Sequence, residues 1–159
     1  MNILLVDDDD IDRLSIKRML ARSPIATDIV EVDNGHDAIR AIRTHQFDIV
    51  LLDYLLPDMT GLELLTNLRG QFLGATAIIV LTGQQNELLA EQCIEAGAQD
   101  FILKDEVSPN NINRAPHFAK LRHENELELR KSHDMLQRLA ERDQLTGLLN
   151  RYSFETKMN

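Results

Sequence analysis

The chain has a single cysteine in 159 residues, Cys93, so no internal disulfide can staple it. Cys93 falls with Ala90, Ile94 and Gly97 on one face of a helix-forming stretch, where a thiol serves as a small buried hydrophobe. No apolar run approaches the roughly 20 residues needed to cross a bilayer. A basic leader with an apolar core is also missing, because Asn2 leads straight into a strand. The expectation is a cytoplasmic protein with no membrane partner. Positive charge is scarce in the first two thirds. Residues 1–111 hold 8 Lys and Arg against 19 Asp and Glu, whereas residues 112–159 hold 9 against 7, within a net charge of −9. That balance disfavours direct nucleic-acid binding by the first part, and its reversal near residue 111 marks a change of module.

What the chain does have is acid at the ends of apolar runs. Four aspartates, Asp7 to Asp10, close the run Asn2-Ile3-Leu4-Leu5-Val6, and Asp53 closes Phe47-Asp48-Ile49-Val50-Leu51-Leu52. Short runs rich in aliphatic and β-branched residues read as fully buried parallel strands. If the two are neighbours, Asp7, Asp8 and Asp53 meet at the carboxyl edge of the sheet, where open α/β folds bind ligands. Three carboxylates in one crevice repel unless a divalent cation joins them, and hard oxygen donors suit Mg²⁺. The pattern points to metal-assisted phosphoryl chemistry.

Strand and helix signals then alternate. Ile11, Leu14, Ile16, Met19 and Leu20 repeat at helical spacing, with Asp9 or Asp10 placed to cap them. Residues 27–32 alternate as an edge strand does, and a helix carries Ala38, Ile39, Ala41 and Ile42. Pro57, Asp58 and Gly61 form a loop before a helix with Leu62, Leu64, Leu65 and Leu68. Residues 77–81 make a fourth strand ending at Thr82-Gly83, residues 86–96 a helix, and residues 100–103 a fifth strand ending at Lys104. Five strands alternating with helices on short connections predict an α/β, doubly wound parallel sheet. His36, His45, His117, His123 and His133 show no metal-like pairing and read as solvated.

Val6-Asp7-Asp8-Asp9, residues 52–61 (Leu-Asp-Tyr-Leu-Leu-Pro-Asp-Met-Thr-Gly), Leu81-Thr82-Gly83 and Leu103-Lys104, in that order, resemble a receiver domain of two-component response regulators over residues 1–111. The resemblance implies a flavodoxin-like sheet of strand order 2-1-3-4-5. It implies that Asp53 is the phosphoacceptor, a carboxylate nucleophile forming an acyl phosphate. Asp8, Asp53 and the backbone carbonyl of Leu55 would hold Mg²⁺ directly, with Asp7 acting mainly through a metal-bound water. Lys104 would pair with a phosphoryl oxygen, and Thr82 would donate its hydroxyl to another. Phe101 stands where the family carries a rotating aromatic switch, although a phenyl ring there also suits plain core. The implied partner is a sensor histidine kinase or phosphotransfer protein. Gly83, where a small residue is usual, would leave the phosphoryl group open to water. Asp105 follows Lys104 where many receivers have proline.

Ser108-Pro109 is a helix start, with serine as cap and proline in the first turn. Residues 112–142 are charged and free of glycine, a helical linker with the interrupted stripe Phe118, Leu121, Leu129, Leu136 and Leu139. A solvated helix and a weak dimeric coiled coil both fit this stripe. Pro116 predicts a kink or break. Residues 143–154 (Asp-Gln-Leu-Thr-Gly-Leu-Leu-Asn-Arg-Tyr-Ser-Phe) resemble the opening of a GGDEF-type diguanylate cyclase domain, making 143–159 its N-terminal fragment, in which Asn150 matches a guanine-binding asparagine. The signature loop and metal acids of that domain are absent, so these residues cannot make cyclic di-GMP; the expectation is a chain cut just inside an output domain that its parent protein carries. That output implies a homodimer when phosphorylated. Two rivals are a stand-alone receiver acting as a binding module and a haloacid-dehalogenase-like Mg²⁺ phosphatase. The second takes its nucleophile from an Asp-x-Asp-x-Thr/Val run, and Asp7 to Asp10 lacks the final Thr/Val.

Overall fold

The computed structural model describes residues 1–68 and 74–141. Among the described residues there are five parallel strands, β1 (Asn2–Val6), β2 (Asp28–Val32), β3 (Ile49–Asp53), β4 (Ala77–Thr82) and β5 (Asp100–Leu103), in the order β2-β1-β3-β4-β5. Between them run α1 (Asp10–Leu20), α2 (Gly35–Thr44), α3 (Gly61–Leu68) and α4 (Glu87–Glu95), and α5 (Pro109–Glu141) follows a 3-10 turn at Lys104–Glu106. The doubly wound α/β fold expected from the sequence is the one observed.

The period-2 geometry of a strand divides the core in two. Leu4, Val6, Val50, Leu52, Ile78 and Val80 face one cluster, with Ala38 of α2, Leu64, Leu65 and Leu68 of α3 and Cys93 of α4. Ile3, Leu5, Ile49, Leu51, Ile79 and Leu81 face the other, with Ile16 and Leu20 of α1 and Ile112, Ala115 and Ala119 of α5. Strands β1, β3 and β4 are covered on both faces, which is why their sequences are unbroken apolar runs. The edge strands β2 and β5 are the exceptions, with Val30 44% exposed and every residue of β5 at least partly exposed.

Helix ends follow local chemistry. Asp9 caps α1, its side chain accepting the N–H groups of Ile11 and Asp12. Ser108 and Asn111 cap the start of α5 reciprocally, the Ser108 N–H donating to Asn111 Oδ1 at 2.9 Å and the Asn111 N–H to Ser108 Oγ at 3.4 Å.

Three expectations are revised. Helix α5 continues through Pro116 with no break: the proline deletes one hydrogen bond, while burial of Ile112, Ala115 and Ala119 around it holds the turns to the sheet. Ile94 is 46% exposed beside fully buried Cys93, because α4 presents a narrow stripe to the sheet and a neighbour in sequence lies about 100° around the helix. Ile11 and Leu14 likewise point outward, and α1 buries only Ile16 and Leu20.

Two compact units are present, Met1–Leu121 and Arg122–Asn159. The first extends past the charge reversal near residue 111, since the opening turns of α5 supply core. In the second, Leu129, Met135, Leu136 and Leu139 are each at least half exposed. No helix among the described residues is long and apolar enough to cross a membrane. The cyclase-like stretch 143–159 lies outside the described residues.

Candidate functional site

Register brings the acids together. Val6 pairs with Leu52, Asp53 with Leu81 and Thr82 with Leu103, so β1, β3, β4 and β5 end at one edge. Asp7, Asp8, Asp53, Thr82 and Lys104 all stand at or just past those ends. One carboxylate oxygen each from Asp7, Asp8 and Asp53 lies within 4.8 Å of the others. Asp7 is fully buried; its Oδ1 accepts the Asp9 N–H at 2.9 Å and its Oδ2 accepts Lys104 Nζ at 2.8 Å. Arg13 braces the same residue from α1, donating to the Asp7 carbonyl at 2.5 Å. Asp8 is exposed, so the cluster offers one open oxygen donor above two sunk ones.

Asp53 is 7% exposed, with its Oδ1 accepting the Leu55 N–H at 3.3 Å and its Oδ2 at 3.2 Å from Lys104 Nζ. Burial, reinforced by the Asp7 charge, pushes its carboxyl up to about 6 against the pull of Lys104. A buried acid cluster under this strain is short of positive charge, and three hard oxygen donors are the chemistry a divalent cation satisfies. The residues fit Mg²⁺.

Lys104 Nζ holds three carboxylates at once, Asp12 at 2.6 Å, Asp7 at 2.8 Å and Asp53 at 3.2 Å. Burial works against its charge, yet the bonds it donates to Asp12 and Asp7 and the nearby Asp53 charge keep the ammonium above its ordinary range. Sequence reasoning missed Asp12, the nearest of the three. The available signal was spacing: Asp12 lies one helical turn beyond Asp8 and Asp9, which returns it to the same edge.

The Thr82 hydroxyl donates to the Gln84 carbonyl at 3.1 Å and accepts the Gln84 N–H at 3.3 Å. Phe101 is half-buried and packs on the cluster beneath α2, α3 and α4. Leu55 lies in the turn of residues 54–60, where it bridges Thr60, and its side chain is 68% exposed. Beyond Thr82, a methyl group built on Gly83 would meet nothing within 4 Å.

Asp58, at the tip of that turn, accepts the N–H groups of Gly35 at 2.7 Å and His36 at 2.9 Å, and pairs with His36 Nδ1. Partial burial raises its carboxyl, but these bonds outweigh it and bring it down to about 2. His36 is solvated as expected, its ring mostly exposed, and it also pairs with Asp58.

The profile of the "Response regulator receiver domain" matches residues 3–115. The chain belongs to the response regulator receiver family. Its receiver is 32% identical over 117 residues to the nitrate/nitrite response regulator protein NarL of Escherichia coli, covering 74% of this chain and 53% of that protein. It is also 32% identical over 104 residues to a cyclic di-GMP phosphodiesterase of Thermotoga maritima, covering 65% of this chain and 27% of that one. The chain thus spans about a quarter to about half the length of these relatives. Among solved structures, the signal receiver domain of the putative response regulator NarL from Mycobacterium tuberculosis superposes with a TM-score of 0.66 at 28% identity, covering 75% of this chain and 95% of that one. The BeF3-activated receiver of RstA from Klebsiella pneumoniae superposes at 0.61 with 30% identity, covering 72% and 94%. Membership in this family decides against the dehalogenase-like phosphatase.

Proposed function

We propose that this receiver accepts a phosphoryl group on Asp53 and passes its state through α5 to a diguanylate cyclase output domain. The observation that carries the first half is the meeting of Asp7, Asp8 and Asp53 within 4.8 Å beside Lys104 at the ends of the central strands. Asp8, Asp53 and the Leu55 carbonyl would hold Mg²⁺, with Asp7 adjoining. When bound there, Mg²⁺ would supply charge neutralisation for in-line transfer.

An Asp53 oxygen attacks the donor phosphorus, forming the O–P bond of an acyl phosphate. The donor's P–N bond, in phosphohistidine, or P–O bond, in acetyl phosphate, breaks, and the leaving group departs with the electron pair. Lys104 pairs with a phosphoryl oxygen as charge builds there. Thr82 exchanges its bonds to Gln84 for one to the phosphoryl group. Hydrolysis reverses the state, water supplying oxygen to phosphorus and releasing inorganic phosphate and the Asp53 carboxylate. The open space at Gly83 favours that attack and a short lifetime. The donor partner is a sensor histidine kinase or phosphotransfer protein. Incubating the chain with acetyl phosphate is expected to add one phosphoryl group by intact-mass spectrometry with Mg²⁺ and none with EDTA; an adduct indifferent to Mg²⁺ contradicts the metal role.

The second half rests on the cyclase-like residues 143–154 and on a relative that is itself a cyclic di-GMP phosphodiesterase. A cyclase joins two GTP-loaded domains, so its control is a matter of dimer geometry. The stripe Leu129, Leu136 and Leu139 is exposed and apolar, yet too interrupted for a strong coiled coil alone. A weak pairing helix suits a switch that a few kcal/mol from the receiver decides. Sedimentation is expected to show tighter self-association with beryllofluoride, abolished in L129K/L136K. An association constant unmoved by the phosphoryl mimic rules out the coupling.

A further inference from the structure

The turn between β3 and α3 closes on itself. Leu55 bridges Thr60, the Leu56 N–H donates to the Met59 carbonyl at 3.2 Å, and the Gly61 N–H donates to the Tyr54 carbonyl at 2.7 Å. The Thr60 N–H donates to Glu63 at 2.7 Å, tying the turn forward to α3. The Tyr54 N–H donates to the Leu81 carbonyl at 2.8 Å and the Leu55 N–H to Asp53 Oδ1 at 3.3 Å, so the start of the turn is tied to the sheet, while none of these bonds anchors its tip.

Two contacts with a different element anchor the tip. The first is the Asp58 carboxylate on the opening turn of α2. The cap of α2, Asn34, covers only the Asp37 N–H, at 2.8 Å. The N–H groups of Gly35 and His36, which have no partner within a helix, are taken by Asp58 instead. The second is Met59, which lies so close over Gly35 that a Cβ there would come within 2.5 Å of its Sδ. Both contacts clamp the tip of the turn to α2, and three residues before Asp58 stands Leu55, whose carbonyl the proposed site needs.

We infer that Asp58 is a positioning residue for cation binding: by docking the turn on the N-terminus of α2 it aims the Leu55 carbonyl at the acid cluster. This rests on the metal site proposed above. Asp58 touches neither the cation nor the phosphoryl group, and its effect runs through backbone placement. An asparagine at 58 retains one acceptor for the α2 N–H groups and loses the charge, whereas alanine loses both.

Isothermal titration of MgCl₂ into the full 159-residue chain tests this, with thermal melts run beside it. Asp58→Ala is expected to weaken Mg²⁺ binding by about tenfold, the lower end of what outer contacts to metal ligands contribute. Asp58→Asn is expected to stay close to wild type. Gly35→Ala, which keeps the Asp58 charge but forces Met59 aside, is expected to weaken binding in the same direction as Asp58→Ala. Unchanged affinity in Asp58→Ala, even with a lowered melting temperature, overturns the positioning role alone, as does an asparagine variant as weak as alanine, since that result marks a field effect of charge. Absence of Mg²⁺ binding by the wild type overturns the metal site as well.

Discussion

Asp53→Asn is expected to lose all phosphoryl adduct and, in Mg²⁺-free buffer at neutral pH, to unfold at a higher temperature than the wild type. The loss follows from removing the nucleophile. The gain in stability follows from the cluster's own repulsion. Burial and Asp7 push the Asp53 carboxyl up to about 6 from 3.8, and an upward shift of about two units means that keeping the group charged at neutral pH costs the fold roughly 3 kcal/mol. The sign is clear: a raised carboxyl is a stabilising proton acceptor at low pH and a burden once ionised. That figure already includes the attraction of Lys104 at 3.2 Å, and the buried amide carries a desolvation cost of its own, leaving an expected gain of about 1–2 kcal/mol. Mg²⁺ reverses the order, because a ligand at 100 times its Kd adds about 2.7 kcal/mol to a fold that binds it and little to a variant that does not. Melts of both proteins with and without Mg²⁺ read all four states. An Asn variant less stable than wild type without metal contradicts the repulsion, and an adduct that persists in it removes Asp53 as the acceptor.

Lys104→Ala is expected to damage both fold and chemistry, and the two losses can be separated. The lysine is the cation at 2.8 Å from an Asp7 side chain that is 1% exposed, so its removal strands buried negative charge at a cost of about 3–5 kcal/mol. It also removes the charge that meets the phosphoryl oxygens, which should slow phosphorylation by acetyl phosphate at least about a hundredfold. Adding Asp7→Asn relieves the stranded charge and should recover most of the stability, while phosphorylation stays slow because both changes touch the site, so Asp7→Asn alone is measured as the reference for rate. Urea titrations and adduct time courses on the single and double variants provide the comparison. Recovery of the transfer rate together with stability would assign Lys104 a purely structural part.

What could be read from the sequence was set by how local each cause is. Strands β1, β3 and β4 were legible because burial on both faces leaves an unbroken apolar run, and Asp53 was conspicuous as the acid that ends one. The Asp9 and Ser108 caps act within a few residues and were equally readable. Asp12 escaped, since its value lies in a lysine 92 residues away. So did the Asp58 contact with His36, 22 residues back, where the sequence offers a free histidine and a turn aspartate with nothing to join them. Of the kink or break that Pro116 suggests locally, the break does not occur, because long-range packing of its neighbours holds the helix together.

The burial of Ile112, Ala115 and Ala119 bears on how regulators of this kind can be recombined. A splice placed at the charge reversal near residue 111 would take three side chains out of one half of the core and attach a foreign segment in their place. Chimaeras that exchange output modules should therefore join after Leu121, where the compact unit ends. Insertions that rotate the downstream helix belong beyond that point too, so that the phase of the output can be altered one residue at a time without disturbing the scaffold that senses.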